Sequence, residues 1–239
     1  MTEEINYPIR INRYLALKGI STRRGADELI SSGLVMINGR KAVLGDKVES
    51  TDEIKVLKSQ TKTKKLVYLA YYKPRGIVTH SPRHGERAIK DILNLPGVFP
   101  IGRLDKESEG LIILTNDGRI TERVLNPKFE HEKEYEVIVR EKIPSRTERV
   151  FKSGIVADGE KLTAKDVKIL SNHKMNIILT EGKTHQIRRM LAFIRLTVEN
   201  LKRKRIMDIK LGNLQPGEYQ PLEDKFKKEF LNSLGLKEL

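Results

Sequence analysis

The 239-residue chain has no cysteine and no tryptophan, and aromatic residues make up only 5% of it. Without cysteine there are no disulfides, no thiolate nucleophile and no cysteine-based metal site. No apolar run approaches the ~18 residues of a membrane-spanning helix. The first residues, Met1-Thr-Glu-Glu-Ile5, carry acids where a signal peptide needs bases, so a cytoplasmic protein without a membrane partner is expected. The five histidines are scattered and form no cluster with carboxylates, so neither a metal nor another cofactor is expected.

Positive charge, by contrast, is abundant. The formal net charge is +14 with pI ≈ 9.8, and 33% of residues are charged. Such an imbalance favours a polyanion, either nucleic acid or an acidic membrane surface. At 38% hydrophobic, the chain has enough apolar residues for one large core or two moderate ones.

The first basic concentration lies near the N-terminus. Ile9 to Leu17 places Ile11, Tyr14 and Leu15 near one helical face, with Gly19 as a stop. Ser21 is placed to cap a second helix carrying Ala26, Leu29 and Ile30 at i, i+3, i+4 spacing, and Gly33 ends it. Leu34 to Arg40 reads as a strand running into an Asn38-Gly39 hairpin turn. From Arg10 to Lys41 there are seven Lys or Arg against two acids. Arg10, Arg13, Arg23, Arg24, Arg40 and Lys41 are therefore candidate contacts to backbone phosphates. Arg13-Tyr14-Leu15, Ser21-Thr-Arg-Arg24, the Leu29 to Gly33 helix end and Val35-Met-Ile-Asn-Gly39 together resemble the S4 RNA-binding domain. The expected organisation is an S4 domain at 1–57, a lysine-rich linker at 58–65 and a larger domain at 66–239.

In the larger part, Gly102-Arg103-Leu104-Asp105-Lys106-Glu107-Ser108-Glu109-Gly110 lies between the apolar runs 98–101 and 111–114. Glycines at both ends predict a tight loop between two strands, presenting the short carboxylate of Asp105. By spacing alone Asp105 reads first as a turn residue accepting backbone hydrogen bonds, as Asp routinely does. Leu66 to Tyr72 reads as a buried strand, turned by Lys73-Pro-Arg-Gly76 into a second extended piece, Ile77 to Thr79. Short helices are expected around Ile89, Ile92 and Leu93, and over Asp117 to Leu125. Tyr135, Val137 and Val139 alternate onto one face of a strand. Pro144 to Ser153 reads as a helix, Gly154 to Leu170 as a hairpin around Asp158-Gly159, and Asn176 to Thr180 as a central strand. Thr184 is placed to cap a helix with Ile187, Leu191 and Ile194 inward. His185 reads as no more than a helix-start residue. Gly182-Lys183-Thr184 imitates a P-loop tail, but Ile177 stands where that motif needs its first glycine. Lys183 to Lys210 holds nine cations against two acids, a second basic concentration.

Several of these stretches carry a resemblance. Ile101-Gly-Arg-Leu-Asp105, Ser108-Glu-Gly110-Leu111 and Leu114-Thr-Asn-Asp-Gly118 resemble the catalytic motif of the pseudouridine synthases, in the branch that modifies ribosomal RNA. Tyr71-Tyr-Lys-Pro-Arg-Gly76, Glu132-Lys-Glu-Tyr135 and Gln186-Ile-Arg188-Arg-Met190 are similar to further motifs of that family. The resemblance implies an α+β chain: a small S4 domain, then a catalytic domain with a mostly antiparallel mixed sheet flanked by helices. It implies that Asp105 is the nucleophile, that Tyr135 packs on a flipped-out base, that Arg188 pairs with Asp105, and that Leu201 lines the uracil pocket. A bidentate guanidinium would fix the carboxylate and keep it ionised. Arg103 is expected in the space the flipped base leaves, and Lys202 and Arg203 against the RNA.

The pattern is interrupted once, where Phe193 to Leu196 must turn without the glycine and aromatic the family uses there. Phe99 to Lys106 and His131 to Tyr135 look most like the large-subunit synthases called type F. That implies 23S ribosomal RNA as substrate, with a tRNA as a further one, and a monomer needing no cofactor. The alternative is a ribosome-assembly protein that keeps the basic surfaces without catalysis.

Overall fold

The computed structural model describes residues 6–18, 20–57 and 65–236. They fall into two compact units, residues 1–66 with 117–120, and residues 67–116 with 121–239. Almost all of the expected linker, and the expected stop at Gly19, lie outside the described residues.

The first unit runs β1 (Ile9–Arg10), α1 (Ile11–Leu17), α2 (Arg23–Ser31), β2 (Val35–Ile37), β3 (Arg40–Lys41), β4 (Lys47–Val48) and β5 (Ile54–Val56). Strand β1 pairs with β4, and β3, β2 and β5 form an antiparallel sheet. Ile11 and Leu15 of α1, Ala26 and Ile30 of α2, and Val35, Ile37 and Val48 close one core. The first helix starts at Ile11, two residues later than expected, because Ile9 and Arg10 are drawn into pairing with Val48 and Lys47. The second helix is capped by Thr22, whose side chain accepts from the Gly25 amide at 2.9 Å, and not by Ser21. Both turn residues, Asn38 and Gly39, have positive φ, as a two-residue hairpin turn requires.

The second unit is built on a nine-stranded sheet. Its elements are β6 (Tyr68–Lys73), α3 (Ile89–Ile92), β7 (Phe99–Ile101), β8 (Glu109–Thr115), α4 (Arg119–Leu125), β9 (Lys133–Val139), α5 (Thr147–Ser153), β10 (Ile155–Ala157), β11 (Glu160–Leu162), β12 (Asp166–Ser171), β13 (Lys174–Leu179), α6 (Gln186–Phe193), β14 (Val198–Ile206), β15 (Ile209–Lys210), β16 (Tyr219–Pro221) and α7 (Asp224–Ser233). The main strand order is β12-β13-β9-β14-β8-β6-β16, with β15 beside β14 and β7 beside β8. Among the described strands of this sheet only β14 and β8 run parallel, so the sheet is mixed and mostly antiparallel.

The pattern of each strand explains its place. Strand β6 is buried at every residue, and Leu111 to Leu114 of β8 are buried throughout, as continuous apolar runs require at the middle of a sheet. Strand β9 alternates, with Lys133, Tyr135, Val137 and Val139 buried. Tyr135, Val137 and Val139 join Leu104, Ile187, Met190, Leu191 and Leu201 in one cluster. Burying side chains of this size contributes roughly 1.5–3 kcal/mol each. The expected extended piece at Ile77 to Thr79 is reduced to a single bridge, Val78 to Ala88.

Helix α6 begins one residue later than Thr184 capping would give. His185 occupies the cap position at φ 50° and ψ 28°, and no side chain caps the helix. Buried Gln186 replaces the cap from within: its Oε1 accepts from the Lys183 amide, and its Nε2 donates to Thr163 O and Glu181 Oε1. At the far end, Arg195 takes the left-handed conformation, φ 60°, that a glycine would take at no steric cost.

Candidate active site

Two paired strands hold the central loop. Strand β7 ends at Ile101 and pairs antiparallel with β8, so residues 102–108 bulge from one end of a rigid hairpin. Gly102 and Gly110 have φ of 76° and 106°. At Gly110 a Cβ would stand 2.4 Å from the Arg203 carbonyl oxygen, so the close approach of β14 requires glycine there.

The loop is braced from inside. Thr79 Oγ1 donates to Leu104 O at 2.8 Å and accepts from the Leu104 amide at 3.0 Å. The Gly76 amide donates to Lys106 O, and the Ser108 amide to Asp105 O. These bonds leave the Asp105 carboxylate on the outer side, with 35% of its side chain exposed.

Two side chains of the α6 start approach that carboxylate. His185 Nε2 lies 3.3 Å from Oδ1, and Arg188 Nε lies 4.0 Å from Oδ2. The expected bidentate fork is therefore not formed. Arg188 instead donates from Nη2 to Glu107 O at 3.1 Å and to Ser108 Oγ at 3.2 Å, binding the loop beside Asp105 as well as facing its charge. His185 is a residue that sequence reasoning passed over. Its one signal was position, beside the Gln186 to Met190 motif; the left-handed backbone that aims it is not legible in a spacing.

Lys73 was also missed as an individual residue, though its motif was noticed. It is completely buried, and Nζ donates to Pro74 O at 2.8 Å and Ile77 O at 2.7 Å. Burial pushes its ammonium down to about 8, and the charges of Asp105 and Glu107 pull in the opposite direction. Tyr135 is 9% exposed and shares the cluster of Leu104 and Leu201, so the ring and the aliphatic residue pack with the neighbour of Asp105.

The residues expected to meet RNA divide. Arg103 is exposed. Arg203 is not: it is buried, and Nε donates to Leu111 O at 2.7 Å. Lys202 is half-buried, 5.6 Å from the Tyr72 ring centroid and 3.6 Å from Glu109 Oε1. For Arg203 the cause is strand alternation, which puts it on the buried face of β14 with Leu201, where sequence charge alone suggested a surface. Arg205 is held by Glu132 and Glu134, and Arg189 by Asp158 and Glu160. Of the nine cations in residues 183–210, Arg189, Lys202 and Arg205 are thus paired with acids within the fold.

In the first unit, Arg10, Arg13 and Arg23 line one cavity of about 360 Å³ with Asn12 and Lys47. Arg24 and Lys41 are exposed, while Arg40 is paired with Asp46 at 2.7 Å.

A family model described as RNA pseudouridylate synthase matches residues 67–193, and one for the S4 domain matches residues 9–54. The chain belongs to the RNA pseudouridine synthases. It is 39% identical to the dual-specificity RNA pseudouridine synthase RluF of Escherichia coli K12 over 221 residues, 90% of this chain and 76% of that one. It is 33% identical to ribosomal large subunit pseudouridine synthase B of Bacillus subtilis over 223 residues, 89% and 91% of the two chains. A crystal structure of a pseudouridylate synthase superposes with a TM-score of 0.68 at 28% identity, covering 95% of this synthase and 99% of that chain. The match thus spans both units, and the S4 domain and catalytic fold expected from the motifs are present in this synthase.

Proposed function

We propose that this synthase converts uridine of large-subunit ribosomal RNA into pseudouridine, with Asp105 as the nucleophile, and that a transfer RNA is its second substrate. The reaction breaks the bond from the sugar C1′ to N1 and forms one from C1′ to C5. The C5 proton is lost and N1 gains one, so mass is unchanged and no electron donor is needed. The single observation that carries the reading is the Asp105 carboxylate. It stands partly exposed on a braced loop with His185 and Arg188 on separate oxygens, above a cluster containing Tyr135 and Leu201.

The remaining roles follow from chemistry. A uracil stacked in a helix is out of reach, so it is flipped out at a cost of a few kcal/mol. The Tyr135 ring offers a flat face to the flipped base, worth ~1–3 kcal/mol, and Leu201 lines the pocket. Arg188 sets its positive charge beside the carboxylate and fixes the loop. Arg103, exposed two residues before Asp105, fills the space the base leaves. The residues 1–57 act as an RNA-binding anchor through Arg10, Arg13 and Arg23. The chain acts as a monomer in the cytoplasm, where ribosomal RNA is found. The names of the two relatives, one dual-specificity and one of the large subunit, support the choice of RNA.

Asp105→Asn tests the assignment. The variant is expected to keep its fold and its RNA affinity and to lose product formation by on the order of a thousandfold. Carbodiimide labelling of ribosomal and transfer RNA, from cells with and without the chain, gives the modified positions. Substantial pseudouridine made by Asp105→Asn would end the reading. An inactive parent chain that still binds ribosomal RNA would favour the assembly-protein alternative.

A further inference from the structure

Arg203 reaches three parts of the site at once. Its Nε donates to Leu111 O at 2.7 Å, just beyond the loop, and Nη1 donates to Arg103 O at 3.4 Å, two residues before Asp105. Its guanidinium carbon lies 6.0 Å from the centroid of the Tyr135 ring. The backbone is engaged as well, because Arg203 pairs with Gly110 at the loop's end. The remaining nitrogen, Nη2, is buried without a hydrogen-bond partner among the described residues. A buried guanidinium with a donor unused costs stability that an apolar side chain of similar volume would not. Such a cost points to use rather than packing.

We propose that Arg203 is a positioning residue for the isomerisation. It ties both ends of the Asp105 loop to β14 and faces the Tyr135 ring, so that carboxylate and ring keep one separation while the base rotates. The inference rests on the roles given above to Asp105 and Tyr135. A guanidinium has the donors in a planar fork to reach two carbonyls and still present a face to a ring; an ammonium does not. Loosening the loop by about an ångström is expected to lower turnover on the order of a hundredfold. The grip on RNA is made by other residues and is expected to stay.

The test uses the full chain with Arg203→Lys, Arg203→Gln and Asp105→Asn against one ribosomal RNA fragment. Lysine keeps the charge and loses the fork; glutamine keeps a donor for Leu111 O and loses the charge. For both, the expected result is a single-turnover rate about tenfold to a hundredfold lower, with the Kd and its salt dependence as in the parent. A rate within about twofold of the parent overturns the inference. So does a weaker Kd with a shallower salt slope, the signature of a phosphate contact. If the variants do not fold, the Arg203 Nε–H resonance of the parent chain decides. It is expected to remain protected from solvent exchange with RNA bound, and rapid exchange overturns the proposal. Activity in Asp105→Asn removes the reading beneath the inference, whereas an inactive Asp105→Asn beside a fully active Arg203→Lys removes the inference alone.

Discussion

His185 Nε2 stands 3.3 Å from Asp105 Oδ1, on the oxygen that Arg188 does not face. The histidine is brought there by a left-handed backbone at φ 50°, a conformation that costs a non-glycine residue about 1–3 kcal/mol. An imidazole nitrogen beside Oδ1 and a cation near Oδ2 restrict rotation of the carboxylate about its own axis. The His185 side chain is 58% exposed, so the contact is screened and its contribution small. His185→Ala is expected to lower kcat by roughly threefold to tenfold with KM little changed, and His185→Asn, which keeps a donor, to recover part of the loss. Equal activity of all three proteins in a steady-state assay would leave His185 without a role.

Lys73 links the site to stability. Its folded-state value, about 8, lies below the ordinary 10.5, so folding carries the cost of burying a charged ammonium at neutral pH. As pH rises past 8 the folded protein loses that proton before the unfolded chain does, and the cost falls away. Lys133, also pushed down to about 8 by burial, acts in the same direction. Stability is expected to rise between about pH 8 and 9.5. Tyr71 and Tyr72, both raised by burial, oppose the trend nearer pH 10. The check is urea unfolding at the two pH values for the parent and Lys73→Met. A variant that keeps the full rise would show that Lys73 does not titrate as described.

Legibility in the sequence depended on whether one residue's neighbours sufficed. The Asn38-Gly39 and Asp158-Gly159 turns, the alternation of Tyr135, Val137 and Val139, and the loop closed by Gly102 and Gly110 are local patterns, and each appears where its spacing put it. The Thr22 cap was displaced by one residue from Ser21, because both can cap and only the entry angle of the chain chooses. Arg203 was misjudged because its positive charge, in an unbroken run of cations, looks solvent-facing. Only the pairing of β14 with β8 and β9 reveals that one side of the run is covered. The approach of His185 to Asp105 joins residues 80 apart in sequence through a backbone conformation, and no motif spacing encodes it.

Helix α2 opens with Arg23 and Arg24, both exposed, and no acidic residue lies in its first turn. Two cations at the positive end of a helix dipole are unfavourable, by about 0.3–1 kcal/mol each. Their presence makes sense if a polyanion is met there. Arg24→Glu is accordingly expected to raise the thermal midpoint while weakening RNA binding and reducing the slope of log K against log salt by at least about 1. Opposite signs in the two measurements are what distinguish an RNA contact from a solvated helix face. A variant with unchanged affinity removes Arg24 from the interface.

Arg195 closes α6 within the Phe193 to Leu196 turn, which this chain makes without a glycine. Its amide donates to Ala192 O, the Leu196 amide to Leu191 O, and φ is 60°. The side chain is exposed and no packing is lost by removing it. Glycine relieves the left-handed strain of roughly 1 kcal/mol or more, but it also makes the unfolded chain more flexible, which returns about 0.5–1 kcal/mol. The balance favours Arg195→Gly by about 0–2 kcal/mol, a rise of roughly 2–4 °C for each kcal/mol in a domain of this size. Arg195→Ala, which removes the side chain and keeps the strain, is expected to leave the midpoint unchanged. If calorimetry found the alanine variant as stable as the glycine one, the gain would come from losing a positive charge in a chain already at +14, and the backbone argument would fail.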